Sequence, residues 1–535
     1  MPYSGPELST MSTESLLPPG AHNQTDVYAV HGADPEVLAY AMAKYSRSAL
    51  SMRESLAEIS AQRAEQFLNT FYFQYGHRSI ADLAHIAFAV ERLSLLAAIV
   101  LVDEQRWDGQ ERSTRYQNFM KSGWFFPDFG PDSCSAKLYA DTVTGLFSAY
   151  ERTTAAVLEA LRSRVNRPEL MKPEAYERTL KARAFDVARY LLPLATNTSL
   201  GQIVNSRTLE TQVSRLLSNP IAEVRELGQK LRDAATGPAW NVNAKSGAAF
   251  VDEIGEAAPA LREGAANLLT REVRTAPTLV KYAALNPYLI HTRAELEHAA
   301  AELLHGIAPA AAPLVDLVER TETLEVELAA TLIYWASHRP YRQVRDLVAG
   351  LPEANVNEII ELGLKHRGRH DEALRAFHAG AALRFDILMD IGGFRDMHRH
   401  RRVTQIQQGF TALHGYDTPE SGDAAGLAEA GIVADYQAAV EGAHAASATI
   451  AASAAPEAAF SALYVLPLAT RVRCLFKMDF AEAQYISELR SAPAGHFSYR
   501  KVAWEMFLAL QRQHPTLAKH IRVTDFTQPI DLLQR

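Results

Sequence analysis

The chain has almost no cysteine: Cys134 and Cys474 are the two in 535 residues. Two thiols cannot build a disulfide framework, and no CxxC pair or HExxH run exists to hold a metal. A reducing, cytoplasmic setting without a metal centre is the expectation. Neither cysteine sits in a nucleophile motif. Glycine-rich phosphate cradles are also missing. With no G-x-G-x-x-G and no P-loop, any nucleotide site must be built from side chains. The most apolar run, Ala84 to Val102, is broken by Glu91 and Arg92, so it reads as a core helix leading into a buried strand, not a membrane span. Positive charge is not in excess. A formal charge of −8 and a pI near 6.2 argue against a general nucleic-acid-binding surface. Residues 1–30 have neither a basic n-region nor an apolar h-region and are expected to be a disordered lead.

Against this acidic background, the stretch Arg395-Asp-Met-His-Arg399-His400-Arg401-Arg402 puts four arginines and two histidines into eight residues. Such a cluster repels itself unless acids, solvent or a bound anion compensate it. Leu383, Ile387, Ile391 and Phe394 precede it at helical spacing, which predicts a partly buried helix ending in the basic run. A second short pattern is Glu111-Arg-Ser113-Thr-Arg115-Tyr116. A guanidinium fork and a hydroxyl suit a phosphate, and Glu111 could accept a hydrogen bond from the same ligand. Each pattern alone is also compatible with a solvated turn. Arg473, Arg490 and Arg500 read as helical or near-helical, within reach of Glu482, Glu488 and Glu505 for surface ion pairs.

The second half of the chain repeats the first. Tyr190-Leu-Leu-Pro-Leu-Ala-Thr196 matches Tyr464-Val-Leu-Pro-Leu-Ala-Thr470 at an offset of 274. His77, His85 and Arg106 match His370, His378 and Arg399 at 293, so the second copy has a middle segment shorter by 19 residues. The resulting division is a first repeat over 31–240, a small-residue linker over 241–270 and a second repeat over 271–535. Helices are expected over about 38–73, 136–164, 173–192 and 206–235, and in the Ala-rich stretch 424–458.

Together these residues resemble the flavin-dependent (alternative) thymidylate synthase family. Its pattern runs GHxxxxEH, RHR, ExSxRY, LPL, NxR, a further arginine and an AQxEIR-like stretch. Here the order is Gly76-His77 with His85, Arg399-His400-Arg401, Glu111 to Tyr116, the two Leu-Pro-Leu segments, Asn205-Ser-Arg207, Arg490 and Arg500. The two copies depart from the pattern in complementary ways. The first keeps ExSxRY and NxR but reads Arg106-Trp-Asp where RHR belongs. The second keeps RHR, Arg473 and Arg490 but has Gln407-Gln-Gly409-Phe-Thr411 where ExSxR belongs.

The resemblance implies an α+β fold in two tandem copies, a mixed sheet with many helices. It implies an FAD-dependent methyltransferase that makes thymidylate (dTMP) from dUMP, or a close pyrimidine-nucleotide variant, with NADPH and methylenetetrahydrofolate as co-substrates. It assigns His77, Ser79, Asn205, Arg207, Arg399, His400 and Arg401 to the flavin. Glu111, Ser113, Arg115, Arg399, Arg473 and Arg490 go to the nucleotide, with Arg490 as the catalytic group stabilising the ionised pyrimidine. Family members are homotetramers with sites between subunits, so a homodimer acting as a pseudo-tetramer is expected, with neither membrane nor nucleic acid as partner. Each intact site would join a first copy to a second. Whether it closes within one chain or between chains is open at this level. Asp396 stands where the family has glutamine, an acid beside a phosphorylated ligand, and His496 fills another glutamine slot. These departures keep open a flavin- or nucleotide-binding protein without turnover and, less favoured, a nucleic-acid-binding protein.

Overall fold

A computed structural model describes residues 28, 30, 32–44, 51–58, 78–280, 283–368, 371, 373–419, 426–529 and 531–533. The first repeat runs β1 (His85–Ser94), α1 (Leu95–Leu101), β2 (Asp108–Glu111), α2 (Ser133–Arg164), α3 (Pro173–Ala188), β3 (Asn197–Asn205), α4 (Ser206–Leu217) and α5 (Ala222–Thr236). The second runs β4 (Val315–Leu317), β5 (Leu383–Asp390), α6 (Ile391–Met397), β6 (Thr404–Gln407), α7 (Val433–Ala451), β7 (Arg471–Met478), α8 (Phe480–Ser491) and α9 (Phe497–Gln513). The fold is α+β with many helices. Among the described residues the strands form two small sheets, ordered β1-β3-β2 and β4-β5-β7-β6, and every pairing is antiparallel.

In both repeats a strand passes straight into a helix. Ser94 and Asp390 end β1 and β5, and their side chains accept from the backbone N–H three residues on, Ala97 at 2.9 Å and Gly393 at 2.6 Å. An N-cap of this kind satisfies an otherwise orphaned donor and fixes where the helix begins. The order within 84–102 is therefore strand then helix, the reverse of the sequence expectation. The spacing of Leu383, Ile387, Ile391 and Phe394 also misled. Leu383 and Ile387 lie on β5, and residues four apart share a face in a strand as well as in a helix. Only Ile391 and Phe394 are helical. The expected helix over 206–235 is two helices, α4 and α5. Most of the expected linker is helical, with helices Ala244–Ala257 and Arg262–Leu269.

The two Leu-Pro-Leu segments meet. Leu194 N donates to Leu466 O (2.9 Å) and Leu468 N to Leu192 O (3.0 Å), flanked by Ala195 N to Tyr464 O (2.8 Å) and Ala469 N to Tyr190 O (3.1 Å). Each bond has its counterpart 274 residues away, so a pseudo-twofold axis passes between Pro193 and Pro467, which bridge one another. Leu192, Leu194, Leu466 and Leu468 are fully buried there in one hydrophobic core that draws on both repeats. α2 packs along α7 across the same axis. α2 has 32 residues and α7 has 19, which accounts for much of the shorter middle of the second repeat.

The outer face of the second sheet is covered by helix Leu324–Trp335, and it is charged. Lys477 Nζ reaches Glu327 (3.0 Å) and Thr331 (2.9 Å). Asp386 accepts from Tyr334 Oη (3.0 Å), the Tyr341 N–H (2.8 Å) and Arg473 (2.8 Å). Charges this deeply buried persist only when paired.

Candidate functional site

The basic run lies at the C-terminal end of α6, where the helix dipole favours cations. Arg395 reaches across to Glu111 at the end of β2, and the two side chains are 8% and 9% exposed. Four residues on, Arg115 lies in the same junction. Its Nε and Nη2 form a fork on Asp186 of α3 (2.8 and 3.3 Å). Its Nη1 donates to Tyr499 Oη (2.9 Å) and its Nη2 to Ala494 O (3.2 Å), both in the second repeat. The ring of Tyr499 sits between two guanidiniums, 5.7 Å from that of Arg115 and 5.3 Å from that of Arg490. The Ser113 hydroxyl accepts from the Arg115 N–H (3.2 Å) and shapes the turn.

Arg490, on α8, donates from Nε to His400 Nε2 (2.8 Å) and from Nη2 to Asp396 O (2.8 Å). His400 Nδ1 faces Glu482 Oε1 at 3.3 Å. An acceptor at Nε2 requires the neutral imidazole with its proton on Nδ1, donated to Glu482. Burial lowers the His400 pKa, which agrees with a neutral ring. The Asp396 carboxylate is approached by Arg189 Nη1 at 3.3 Å. Burial alone would raise its pKa, but Arg189, Arg115, Arg399 and Arg490 together hold it below the ordinary carboxylate value.

Beside this cluster Trp107, Glu111, Arg395, Arg399 and Arg401 line a small cavity. Arg401 lies over the Trp107 ring at 4.8 Å and donates to Val102 O (3.0 Å) and His398 O (3.1 Å). Burial lowers its pKa to about 10. Arg395 Nε and Arg401 Nη2 are buried without a protein partner. Arg399 is exposed. Unsatisfied buried donors beside an exposed guanidinium suit an anion with several acceptor oxygens.

A family model described as "Thymidylate synthase complementing protein" matches residues 29–237 and again 316–516. The chain belongs to that family. The two matches are its two repeats. UPF0159 proteins of Chlamydia muridarum and Chlamydia pneumoniae are 27% and 26% identical to it, over 92% and 95% of this chain and 91% and 93% of theirs. A third, from Thermoplasma acidophilum, is 24% identical over 90% of this chain and 94% of its own length. Among solved structures, flavin-dependent thymidylate synthase ThyX of Helicobacter pylori, complexed with FAD and dUMP, aligns over 38% of this chain and 89% of its own, at 18% identity and a TM-score of 0.23.

Strand register corrects one reading of the family motifs. Glu111 pairs with Leu200 and Gln407 with Cys474, and Leu200 and Cys474 are 274 apart, so Glu111 and Gln407 correspond at an offset of 296. The first-repeat counterpart of Arg399-His400-Arg401 is thus Asp103-Glu104-Gln105, not Arg106-Trp-Asp, and nothing is deleted before Glu111. The charge there is inverted. Asp103 pairs with Arg375, and Glu104 with Arg215 at 2.8 Å. Further on, Trp124 bridges Thr196 as Tyr416 bridges Thr470, an offset of 292. The second repeat has therefore lost four residues from the stretch that carries Ser113 and Arg115 in the first.

The remaining assigned residues fall elsewhere. Asn205 caps α4, accepting from Thr208 N (2.8 Å), and its counterpart Asp479 caps α8 from Glu482 N (2.8 Å), so this slot is a helix cap in both repeats. Arg207 pairs with Asp82 (3.2 Å), which Arg106 also reaches (3.3 Å). Ser79 lies in the 3₁₀ turn Arg78–Leu83 beside α4. His77 is outside the described residues. Arg473, expected in helical context, is on β7 and is bound to Asp386 on the outer face, not to Arg399 or Arg490. Arg500 is buried in α9 and donates to Ser491 O (3.1 Å). His496 caps α9 and contacts Asp186 O (2.9 Å).

Sequence reasoning missed Asp186, Arg189 and Tyr499 as partners, and named Arg395 only as part of the basic run. Arg189 stands three residues before the Leu-Pro-Leu segment, and its closeness to that landmark was the available signal. No helix among the described residues is long and apolar enough to cross a membrane.

Proposed function

We propose that the chain is a flavin-dependent methyltransferase of the thymidylate synthase type. It would methylate dUMP, or a close pyrimidine variant of it, at C5, using FAD, methylenetetrahydrofolate and NADPH, in the cytoplasm. The observation that carries this reading is the junction itself. Glu111 and Arg115 of the first repeat lie against Arg395, Tyr499 and the Arg490 neighbourhood of the second, within one chain. On this reading the retained halves of the family motifs make one composite site per chain. The reciprocal slot carries Asp103 and Glu104, already paired with Arg375 and Arg215, and would repel an anion.

The donor set fits a phosphorylated cofactor. Arg395 Nε and Arg401 Nη2 are the orphaned donors of the cavity that Arg399 opens to solvent. Arg399, His400 and Arg401 would hold the flavin, with His77, Ser79, Asn205 and Arg207 contributing from the first repeat. Bound flavin supplies the hydride chemistry. The chain's own task is to orient the pyrimidine and stabilise charge on its ring. Arg490 is suited to this because His400 and the Asp396 carbonyl fix its guanidinium. Glu111, Ser113 and Arg115 would position the other end of the nucleotide. Arg473 lies on the far face of the second sheet, so it would reach a nucleotide only if a second chain brought one there. That is the part a homodimer would play.

One observation favours a second reading, a flavin- and nucleotide-binding protein without turnover. Arg115 is already engaged by Asp186, and Asp396 sits among four arginines. The purified chain separates the readings. A flavin absorption spectrum together with tritium release from C5-labelled deoxyuridylate or deoxyuridine, with NADPH and the folate, supports the enzyme. A flavin spectrum without release supports the binder, and a colourless chain that cannot be loaded with FAD contradicts both.

A further inference from the structure

We propose that Glu482 is a positioning residue, which sets the proton of His400 and through it fixes the Arg490 guanidinium. The proposal rests on the reading above that Arg490 faces the pyrimidine, and it adds a residue to that site. Glu482 and Arg490 stand eight residues apart on α8, so their side chains leave the same face, one near each end of the helix. His400, from the turn after α6, lies across that face. Its Nε2 accepts from Arg490 Nε (2.8 Å) and its Nδ1 faces Glu482 Oε1 (3.3 Å). Glu482 and His400 are 4% and 5% exposed, so both are withdrawn from water. The other Glu482 oxygen is 4.0 Å from Arg402, which is itself held by Asp479 at 2.9 Å. His400 is therefore the close side-chain partner of the Glu482 carboxylate among the described residues.

A guanidinium N–H can only donate, so His400 Nε2 must be the bare nitrogen and Nδ1 must carry the proton. A neutral imidazole can hold its proton on either nitrogen, and the hydrogen bond made by one selects the state of the other. Glu482 accepts from Nδ1–H and so keeps Nε2 open for Arg490. With the proton on Nε2, two donors would face one another at 2.8 Å and Arg490 would be turned away. The first repeat has none of the three residues. At the offset of 274 shared by the Asn205 and Asp479 caps, Glu482 and Arg490 correspond to Thr208 and Leu216. At the offset of 296 given by the strand register, His400 corresponds to Glu104. The three stand together in the repeat that keeps Arg490 and are absent together from the other, as parts of one unit would be.

The test is heteronuclear NMR of the full-length chain carrying isotope-labelled histidine and arginine, with kcat and KM measured on the same samples. His400→Gln and Arg490→Lys identify the two signals. The native chain is expected to show His400 protonated on Nδ1 and a slowly exchanging Arg490 Nε–H. Glu482→Leu is expected to move the ring proton to Nε2, to lose the Arg490 signal, and to lower kcat about tenfold or more with KM changed less than about threefold. Glu482→Gln, whose side-chain carbonyl can still accept, is expected to restore both signals. A native ring protonated on Nε2 overturns the proposal, as do native signals in Glu482→Leu or a loss confined to KM. Should Glu482→Leu misfold, Glu482→Gln and the native ring decide, and a Glu482→Gln ring protonated on Nε2 overturns the proposal. A chain that takes up no flavin or turns nothing over contradicts the enzyme reading, and the two NMR signals still decide this one.

Discussion

Glu111 and Arg395 are 284 positions apart in the chain, yet they form an ion pair in which both side chains are more than nine-tenths buried. The pair joins the acidic end of β2 in the first repeat to the basic end of α6 in the second. Removing one partner of a buried pair leaves the other charge desolvated, which costs about 3–5 kcal/mol. Glu111→Ala is expected to destabilise the chain by about that much in chemical denaturation. The double variant Glu111→Leu, Arg395→Met should recover part of the loss. Equal, additive losses would mean that the pair is not coupled.

The Leu-Pro-Leu repeats were legible because proline and a fixed order of apolar residues mark them in any context. The two helix caps at Asn205 and Asp479 were visible as a motif slot, though not as caps. What sequence did not disclose was tertiary. The even spacing of Leu383 and Ile387 fits a strand face as well as a helix face. The offset of 293 rested on two histidine matches and the match of Arg106 to Arg399, whereas the strand register makes Asp103 the counterpart of Arg399. Asp186 and Tyr499 carry no local signature, and Arg189 only its closeness to the Leu-Pro-Leu segment, since each matters through what the other repeat brings to it.

His398 offers a pH prediction. Burial pushes its pKa down to about 4, with Arg401 and Arg375 adding to the shift and Asp103 opposing it. The unfolded chain takes up this proton near pH 6.5 and the folded chain only near 4, so folding stability attributable to His398 falls as pH drops between those values. At 4% exposure the full effect is about 3 kcal/mol. His398→Gln should lose less stability than the native chain between pH 7 and 4. Parallel curves would contradict the assignment.

Gly109 is required by packing. A Cβ there would meet the Gly201 carbonyl and lie 2.6 Å from the Trp107 ring. Gly109→Ala should push Trp107 off Arg401, with a loss of about 1–3 kcal/mol and a changed tryptophan emission. Native emission and stability in the variant would show that Trp107 is not held this way.

Arg490→Ala should lower kcat/KM by about 10²–10³ while flavin content stays near that of the native chain. Arg490→Lys should restore little, since a lysine cannot satisfy both His400 and the Asp396 carbonyl in the same fork. A loss confined to KM would assign Arg490 to binding alone.

The central claim is that the Glu111–Arg115 half and the Arg399–Arg490 half of each site come from a single chain, and chain exchange tests it most directly. Ser113→Ala alters the first-repeat half and Arg399→Ala the second-repeat half. The two purified variants, each expected to lose at least tenfold in pyrimidine binding, are mixed, dissociated and reassociated. An intrachain site predicts no recovery, because every chain still carries one damaged half. Recovery of a quarter or more of the native sites would contradict it and place the junction between chains.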